Sequence, residues 1–401
     1  MLKIKIAVCV LFVFLSFSDY GKSQININNG KQVGDSTDYY MNQGGIYFNK
    51  GDFVNAAQYF TKALTFNEKN TQVLLFRGWA YIYLKEYEKA IRDANKIYQV
   101  DSVAIPDLYK ILGVAKMYMG KPREAIANYN TFIKLKPSFG EGYQLRAQAY
   151  NELKDYNKAI DDYTIAIKFS VLNAEKAEMY YRRGNAYIEI LKLNEAYADY
   201  LKATQFDPQS ANAFRGLAIV NKMNKSFEAA LHEINQAIQL KAERINYSTK
   251  ISILFDMGDI DACLEGCNLY LQIDNSNAQI YILRARCVLY NNSEYIEGLA
   301  DLDKALALDL GNYEPYYLKG SIYRYQEKYN LAVDAFTKAI SLNKKDAYSY
   351  AGRGLSYLKL NDTVSAQSNI LNAVKLDSLN PDIIEQRGEF YLEMGKYEQA
   401  S

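Results

Sequence analysis

The stretch Ala177–Ser210 reads AEMYYRRGNAYIEILKLNEAYADYLKATQFDPQS. Its small residue Gly184 has one aromatic four places before it, Tyr180, and another three places after it, Tyr187. Residues at i, i+3, i+4 and i+7 share one face of a helix, so the first half predicts an amphipathic helix. Twelve residues past Gly184 stands a second small residue, Ala196, which with Tyr200 and Ala203 repeats the pattern in the second half. The link Asp207-Pro208-Gln209 then closes the stretch with a helix breaker. Small residues facing each other let two antiparallel helices approach closely while the aromatics fill the space on either side. The stretch is therefore predicted to be one helical hairpin. Leucine at both small positions would overpack it by about 1–3 kcal/mol.

The pattern recurs along the chain, which decides the architecture. Small residues fall at Gly44, Gly78, Gly113, Ala147, Gly184, Ala218, Ala285, Gly320, Gly354 and Gly388, with Ile251 the one large exception. Successive spacings are 34, 35, 34, 37, 34, 33, 34, 35, 34 and 34 residues. The second small position follows at Ala56, Ala90, Ala125, Ala159, Ala196, Ala230, Cys263, Ala332, Ala366 and Ala400, and one residue late at Gly298. Turn residues such as Asn49-Lys50-Gly51-Asp52 and Met119-Gly120-Lys121-Pro122 separate the two halves. Val171-Leu172-Asn173 adds three residues, read as a longer turn. The 37 tyrosines of the chain suit many half-buried helix contacts, being apolar with a polar tip.

This arrangement resembles the tetratricopeptide repeat, a helix–turn–helix unit. The resemblance spans residues 37–401, in blocks starting near 37, 71, 106, 140, 177, 211, 244, 278, 313, 347 and 381, the last incomplete. It implies an all-α, right-handed superhelical α-solenoid of about eleven hairpins. Each hairpin buries too little to fold alone and draws its stability from its neighbours. It also implies that first helices line a concave groove holding extended peptide segments. Carried over, the groove comprises Leu75, Trp79, Tyr83, Lys110, Tyr118, Gln148, Tyr181, Asn185, Arg215, Arg286, Tyr317 and Arg324. Amides there could pair with a peptide backbone, and rigid aromatics could anchor side chains. The family's clamp for acidic chaperone tails needs Lys and Asn together in one block. Lys110 has Val114 at the partner position and Asn185 has Tyr181, so that clamp is not expected.

Four blocks place Arg just before the small residue and Asp sixteen or seventeen residues later: Arg77 with Asp93, Arg146 with Asp162, Arg183 with Asp199, and Arg284 with Asp301. A catalytic carboxylate would not recur four times, so these read as ion pairs locking the hairpins. His232 is the sole histidine and has no triad partner motif. No phosphate-cradling glycine loop or metal-loop pattern occurs. Cys263 and Cys267, at i and i+4, lack a further pair or nearby His for a tetrahedral metal site and read as buried small hydrophobes. No enzyme activity, cofactor or metal is expected.

Lys3 and Lys5 precede an apolar run from Ile6 to Phe17. That run falls short of the about 20 residues of a membrane span and fits a secretory signal peptide. Residues 1–23 are read as that signal and residues 24–36 as a disordered linker, so the mature chain would carry no stable membrane span. Removal of residues 1–23, with Lys3, Lys5, Lys22 and Asp19, would leave a net charge near −1, which gives no footprint for nucleic acid. The expectation is an exported scaffold, in a bacterial periplasm or envelope or else secreted, that binds other proteins or extended peptides. An exported holder of unfolded clients is the alternative, as is the docking or sensing part of a larger protein. In the incomplete eleventh block, Asp382, Glu385, Glu389 and Glu393 are read as an outer polar face.

Overall fold

A computed structural model describes residues 36–100, 105–290 and 295–395. The expected signal segment and residues 24–35 of the expected linker lie outside the described residues, while Ser36 opens the first helix. Every regular element among the described residues is helical. The chain divides into two compact units, one ending at Pro208 and the other beginning at Gln209.

The first unit contains α1 (Ser36–Asn49), α2 (Phe53–Phe66), α3 (Thr71–Tyr83), α4 (Tyr87–Val100), α5 (Pro106–Tyr118), α6 (Pro122–Leu135), α7 (Gly140–Glu152), α8 (Tyr156–Phe169), α9 (Asn173–Glu189) and α10 (Leu193–Phe206). The second contains α11 (Ala211–Met223), α12 (Phe227–Leu240), α13 (Arg244–Met257), α14 (Ile260–Ile273), α15 (Ala278–Tyr290), α16 (Tyr295–Leu308), α17 (Glu314–Tyr325), α18 (Tyr329–Leu342), α19 (Ala347–Lys359), α20 (Thr363–Leu376) and α21 (Pro381–Glu393). Odd-numbered helices are the first helices of their repeats and even-numbered ones the second. Within each unit a first helix packs on its own second helix and on the second helix of the preceding repeat. First helices also touch successively, α1–α3–α5–α7 in one unit and α11 through α21 in the other. The expected solenoid of tandem hairpins is what forms.

Two periodic devices recur among the described hairpins. Gly51, Lys85, Gly120, Lys154, Leu191, Lys225, Gly258, Glu327, Asn361 and Gly395 all have positive φ, and each stands seven residues after its block's first small position. This left-handed residue ends the first helix. The next amide then donates back across the turn, as from Glu86 to the Tyr81 carbonyl (2.8 Å) and from Lys192 to the Tyr187 carbonyl (2.9 Å), which satisfies an orphan helix-end acceptor. The second device is steric. A Cβ placed on Gly113 would lie 2.3 Å from the Tyr129 ring, and on Gly184 and Gly320 it would lie 2.8 Å from Tyr200 and Phe336. Each glycine is small because the residue sixteen positions later is large and fully packed, and Phe60, Tyr129, Tyr200 and Phe336 are all buried.

Ile251 obeys the same rule in reverse. Its partner sixteen residues on is Cys267, and both are buried in one cluster with Leu254, Cys263 and Ile280. A large residue in the small slot is met by a small one opposite. The three-residue insertion at 171–173 does not make a longer turn. Its last residue, Asn173, starts α9 early, giving a 17-residue helix, while Val171 is left 84% exposed.

Candidate protein-interaction face

The four expected Arg–Asp pairs all form, as two-pronged clasps. Nε and Nη2 of Arg77, Arg146, Arg183 and Arg284 each donate at 2.7 Å to the two carboxylate oxygens of Asp93, Asp162, Asp199 and Asp301. The sequence did not disclose the third arm. Nη1 of each Arg donates to the second helix of the preceding repeat: to Thr61 (3.0 Å), Asn130 (2.7 Å), Thr164 (2.8 Å) and Asn268 (2.6 Å). A fifth clasp replaces the acid with an amide, as Arg353 donates to Asn369 (2.9 Å) and Thr337 (3.0 Å). One guanidinium therefore joins three helices of two repeats, which makes the clasp a stacking device. The Asp162 hydrogen bond holds the Arg146 guanidinium above the ordinary arginine range. Burial alone would lower Arg183, but Asp199 outweighs it and raises it. Burial also raises Asp199, against the opposing pull of Arg183. The twin short bonds are those of an ionised pair, so the desolvated carboxylate is the strained half.

The first-helix face is the candidate for partner binding. In the first unit it carries Leu75, Trp79 and Tyr83 on α3, Lys110 and Tyr118 on α5, Gln148 on α7, and Tyr181 and Asn185 on α9, all half-buried except Lys110. Lys110 is only 6% exposed. Its ammonium lies 5.3 Å from the Trp79 ring centre and 2.7 Å from Glu141 on α7, so it is committed within the protein. Tyr83 stacks on Phe53 at 4.2 Å and Tyr118 on Tyr87 at 5.5 Å, so both rings pack against second helices. The Asn185 carbonyl accepts from the Tyr200 hydroxyl at 2.7 Å.

In the second unit, Arg215 donates to Asn246 on α13 (3.1 Å). Arg286 pairs with Glu314 on α17 and Arg324 with Glu389 on α21 (3.7 Å). Two further pairs follow the same scheme, Lys222 with Asp256 (2.9 Å) and Lys359 with Glu393 (2.7 Å). Glu389 and Glu393 thus turn toward earlier repeats rather than forming an outer face. Burial raises the Tyr317 hydroxyl, whose ring lies 6.1 Å from Phe336 and 6.2 Å from Tyr348. A basic group on one first helix regularly meets an acid on a later one, so the face carries little uncompensated charge.

Family models described as tetratricopeptide repeats match residues 37–70, 177–210 and 313–346, and a second such model matches 112–170. The first three begin at block starts read from the sequence. The chain carries tetratricopeptide repeats. It is 30% identical to serine/threonine-protein phosphatase 5 of Rattus norvegicus over 24% of its own length. It spans only 19% of that relative, so the phosphatase's activity does not transfer with the repeats. A TPR repeat-containing protein of Methanocaldococcus jannaschii is 21% identical across 93% of this chain and 64% of its own. Among solved structures, yeast Tom70 aligns with TM-score 0.51 at 13% identity, covering 99% of this chain and 97% of its own. The Cut9–Hcn1 assembly of the APC/C gives 0.53 at 15%, covering 91% and 76%. Both likenesses are of fold.

Of the other groups weighed from sequence, the cysteines lie inside the core and His232 is exposed on α12. Among the described residues no group of three or more His, Cys, Asp or Glu could hold a metal ion, and no helix is long and apolar enough to cross a membrane. Cys263, Cys267 and Cys287 are buried, as expected of small core residues. The acids Glu141, Asp256 and Glu314 were not singled out from sequence, and Glu389 and Glu393 were read as an outer face rather than as partners of earlier first helices. Opposite charges about one repeat apart on first helices, or two repeats apart for Arg324 and Glu389, are the signal that would have found them.

Proposed function

We propose that this tetratricopeptide array is a non-catalytic scaffold that holds partner polypeptides along its first-helix faces, outside the cytoplasm. The observation that carries the reading is the pairing of charges on those faces. With Lys110, Arg286 and Arg324 each facing a carboxylate, what remains accessible is aromatic and amide surface, including Trp79, Gln148 and Tyr181. Such a surface suits an extended segment of low net charge, bound through its backbone and a few apolar side chains. It does not suit an acidic tail, which would need an uncompensated lysine where Lys110 already meets Glu141. The export reading is supported by Lys3, Lys5 and the apolar run from Ile6 to Phe17.

Affinity capture from a cell-envelope fraction tests the scaffold, comparing the intact protein with Trp79→Ala and Tyr181→Ala variants of unchanged helicity. One or a few folded partners are expected to be retained by the intact protein and lost from at least one variant. Identical capture by all three overturns the assignment of this face, and preferential retention of denatured proteins would replace the scaffold with a holder of unfolded clients. Export is tested separately by the amino-terminal sequence of the mature protein, expected to begin at Gln24.

A further inference from the structure

Three thiols converge at the joint between the seventh and eighth repeats. Cys263 and Cys267 lie on α14 and Cys287 on α15, and all three are fully buried. The Cys287 thiol donates to Cys263 Sγ at 3.1 Å. Cys267, one helical turn from Cys263, is its second sulfur neighbour. Cys263 is thus the central sulfur. Hydrogen bonds from Cys267 and Cys287 hold it below the ordinary thiol range, while contact with Cys263 together with burial pushes Cys267 and Cys287 up. In most other repeats the position of Cys263 is alanine, so packing alone does not demand sulfur there.

We infer that Cys263 and Cys287 are a disulfide-forming pair that clamps the seventh repeat to the eighth, with Cys267 remaining a thiol. A disulfide needs its sulfurs about 2.05 Å apart with a χ3 near 90°. The two sulfurs lie about 1 Å beyond bonding distance, on neighbouring helices that can adjust side-chain torsions. Cys263 and Cys267 share one α-helix, where closing a bond across a single turn would distort the backbone. The oxidant required is a disulfide-bearing exchange partner. The Cys263 thiolate attacks one sulfur of that partner, whose S–S bond breaks and releases one thiol. Cys287 then attacks the Cys263 sulfur of the mixed disulfide and releases the second. Two thiol protons and two electrons leave the protein, and the partner becomes two thiols. Because both sulfurs are buried, exchange proceeds through local opening of α14 against α15 or before that joint closes during folding. The inference is independent of any partner on the first-helix face.

The test equilibrates the full-length protein with oxidised and reduced glutathione, natively and in concentrated urea, followed by acid quench, thiol alkylation and non-reducing tryptic mapping. The expected product joins the peptide covering residues 251–284 to the one covering 287–304. It should persist in Cys267→Ala and vanish in Cys263→Ala and in Cys287→Ala. Its equilibrium constant against glutathione should be at least about 100-fold larger in the native protein than in urea, since a fold that juxtaposes the thiols favours the bond. Three alkylated thiols at native equilibrium, a link that disappears with Cys267→Ala, or equal constants in both solvents would each overturn the assignment. Alanine is tolerated at the Cys263 position of neighbouring repeats, and helicity of each variant confirms that it folds.

Discussion

Arg183→Ala is expected to damage the fifth repeat far more than Asp199→Asn, although both break the same clasp. Removing one member of a fully buried ion pair costs about 3–5 kcal/mol, chiefly because the other charge is stranded. Here the Asp199 side chain is 6% exposed and that of Arg183 16%, so water can enter part of the vacated space. Allowing for that resolvation, the loss should be about 2–3 kcal/mol. Asp199→Asn instead imitates the fifth clasp, where Asn369 keeps the bond from Arg353 Nε and turns its own Nδ2 to the Ser365 carbonyl four residues back. That exchange should cost about 1 kcal/mol. A repeat array need not unfold as one unit, so the assay is native-state hydrogen exchange of α9 and α10. Arg183→Ala should speed their exchange about 30- to 150-fold, at 1.36 kcal/mol per tenfold. Exchange in α8 should also quicken, because Arg183 donates to Thr164 there. The pH dependence has a definite sign. With Arg183 gone, burial raises Asp199 unopposed. A carboxyl whose folded pKa lies above its unfolded value contributes stability that is present below the unfolded pKa and lost as pH rises through the folded one. The deficit of Arg183→Ala relative to wild type should therefore shrink as pH falls from neutrality toward the ordinary aspartate range of about 4. Equal exchange rates in the two variants, or a deficit unchanged by acid, would refute the clasp as a buried-charge device.

Leu191 holds φ +57° in a position that other repeats fill with Gly, Lys, Glu or Asn, and its side chain is 72% exposed. Leu191→Gly should stabilise the fifth hairpin by about 0.5–1 kcal/mol, read as slower local exchange at α9–α10; no change or a loss would mean the left-handed turn is unstrained there. At the seventh repeat, Ile251→Gly should cost about 2–4 kcal/mol through a cavity and Cys267→Phe about 1–3 through overpacking. The double variant should recover most of both losses in denaturant melts, and additive losses would show that the two slots do not share one space.

The hairpin pattern was legible because it repeats: a position that is small in ten of eleven blocks carries a packing constraint independent of its neighbours in sequence. The Arg–Asp pairs were legible for the same reason, each lying within one block at a separation of sixteen or seventeen residues. What could not be read was whatever joins two blocks. The Thr61, Asn130, Thr164 and Asn268 arms sit sixteen or nineteen residues before their arginines, on a helix that belongs to the preceding hairpin. The first-helix pairs run from Lys110 to Glu141 and from Lys222 to Asp256, with separations of 31 and 34 that obey no single offset. Their members occupy different positions within their blocks, so no column of the repeat displays them. Lys110 was accordingly read as a groove residue, yet Glu141 and Trp79 enclose it. The insertion at 171–173 was misplaced for a local reason: Glu175 stands in the first turn of α9, where a carboxylate favours the helix N-terminus, and extending α9 satisfies more backbone than a longer loop would.

Ile251 shows what kind of constraint the repeat expresses. If the first slot required a small residue for close backbone approach, isoleucine there would force the helices apart and break the hairpin. The α13–α14 hairpin instead keeps both positions buried, because Cys267 has given up the volume that Tyr200 or Phe336 occupies elsewhere. At this hairpin the two facing slots trade volume, a large first residue against a small second one, whereas Gly78 and Ala94 are both small, so the sum itself differs between repeats. The same view explains why sulfur gathers at this joint. Once Ile251 has taken the space, the facing residue must be small and apolar, and cysteine meets both conditions while leaving thiol chemistry within reach of Cys263 and Cys287.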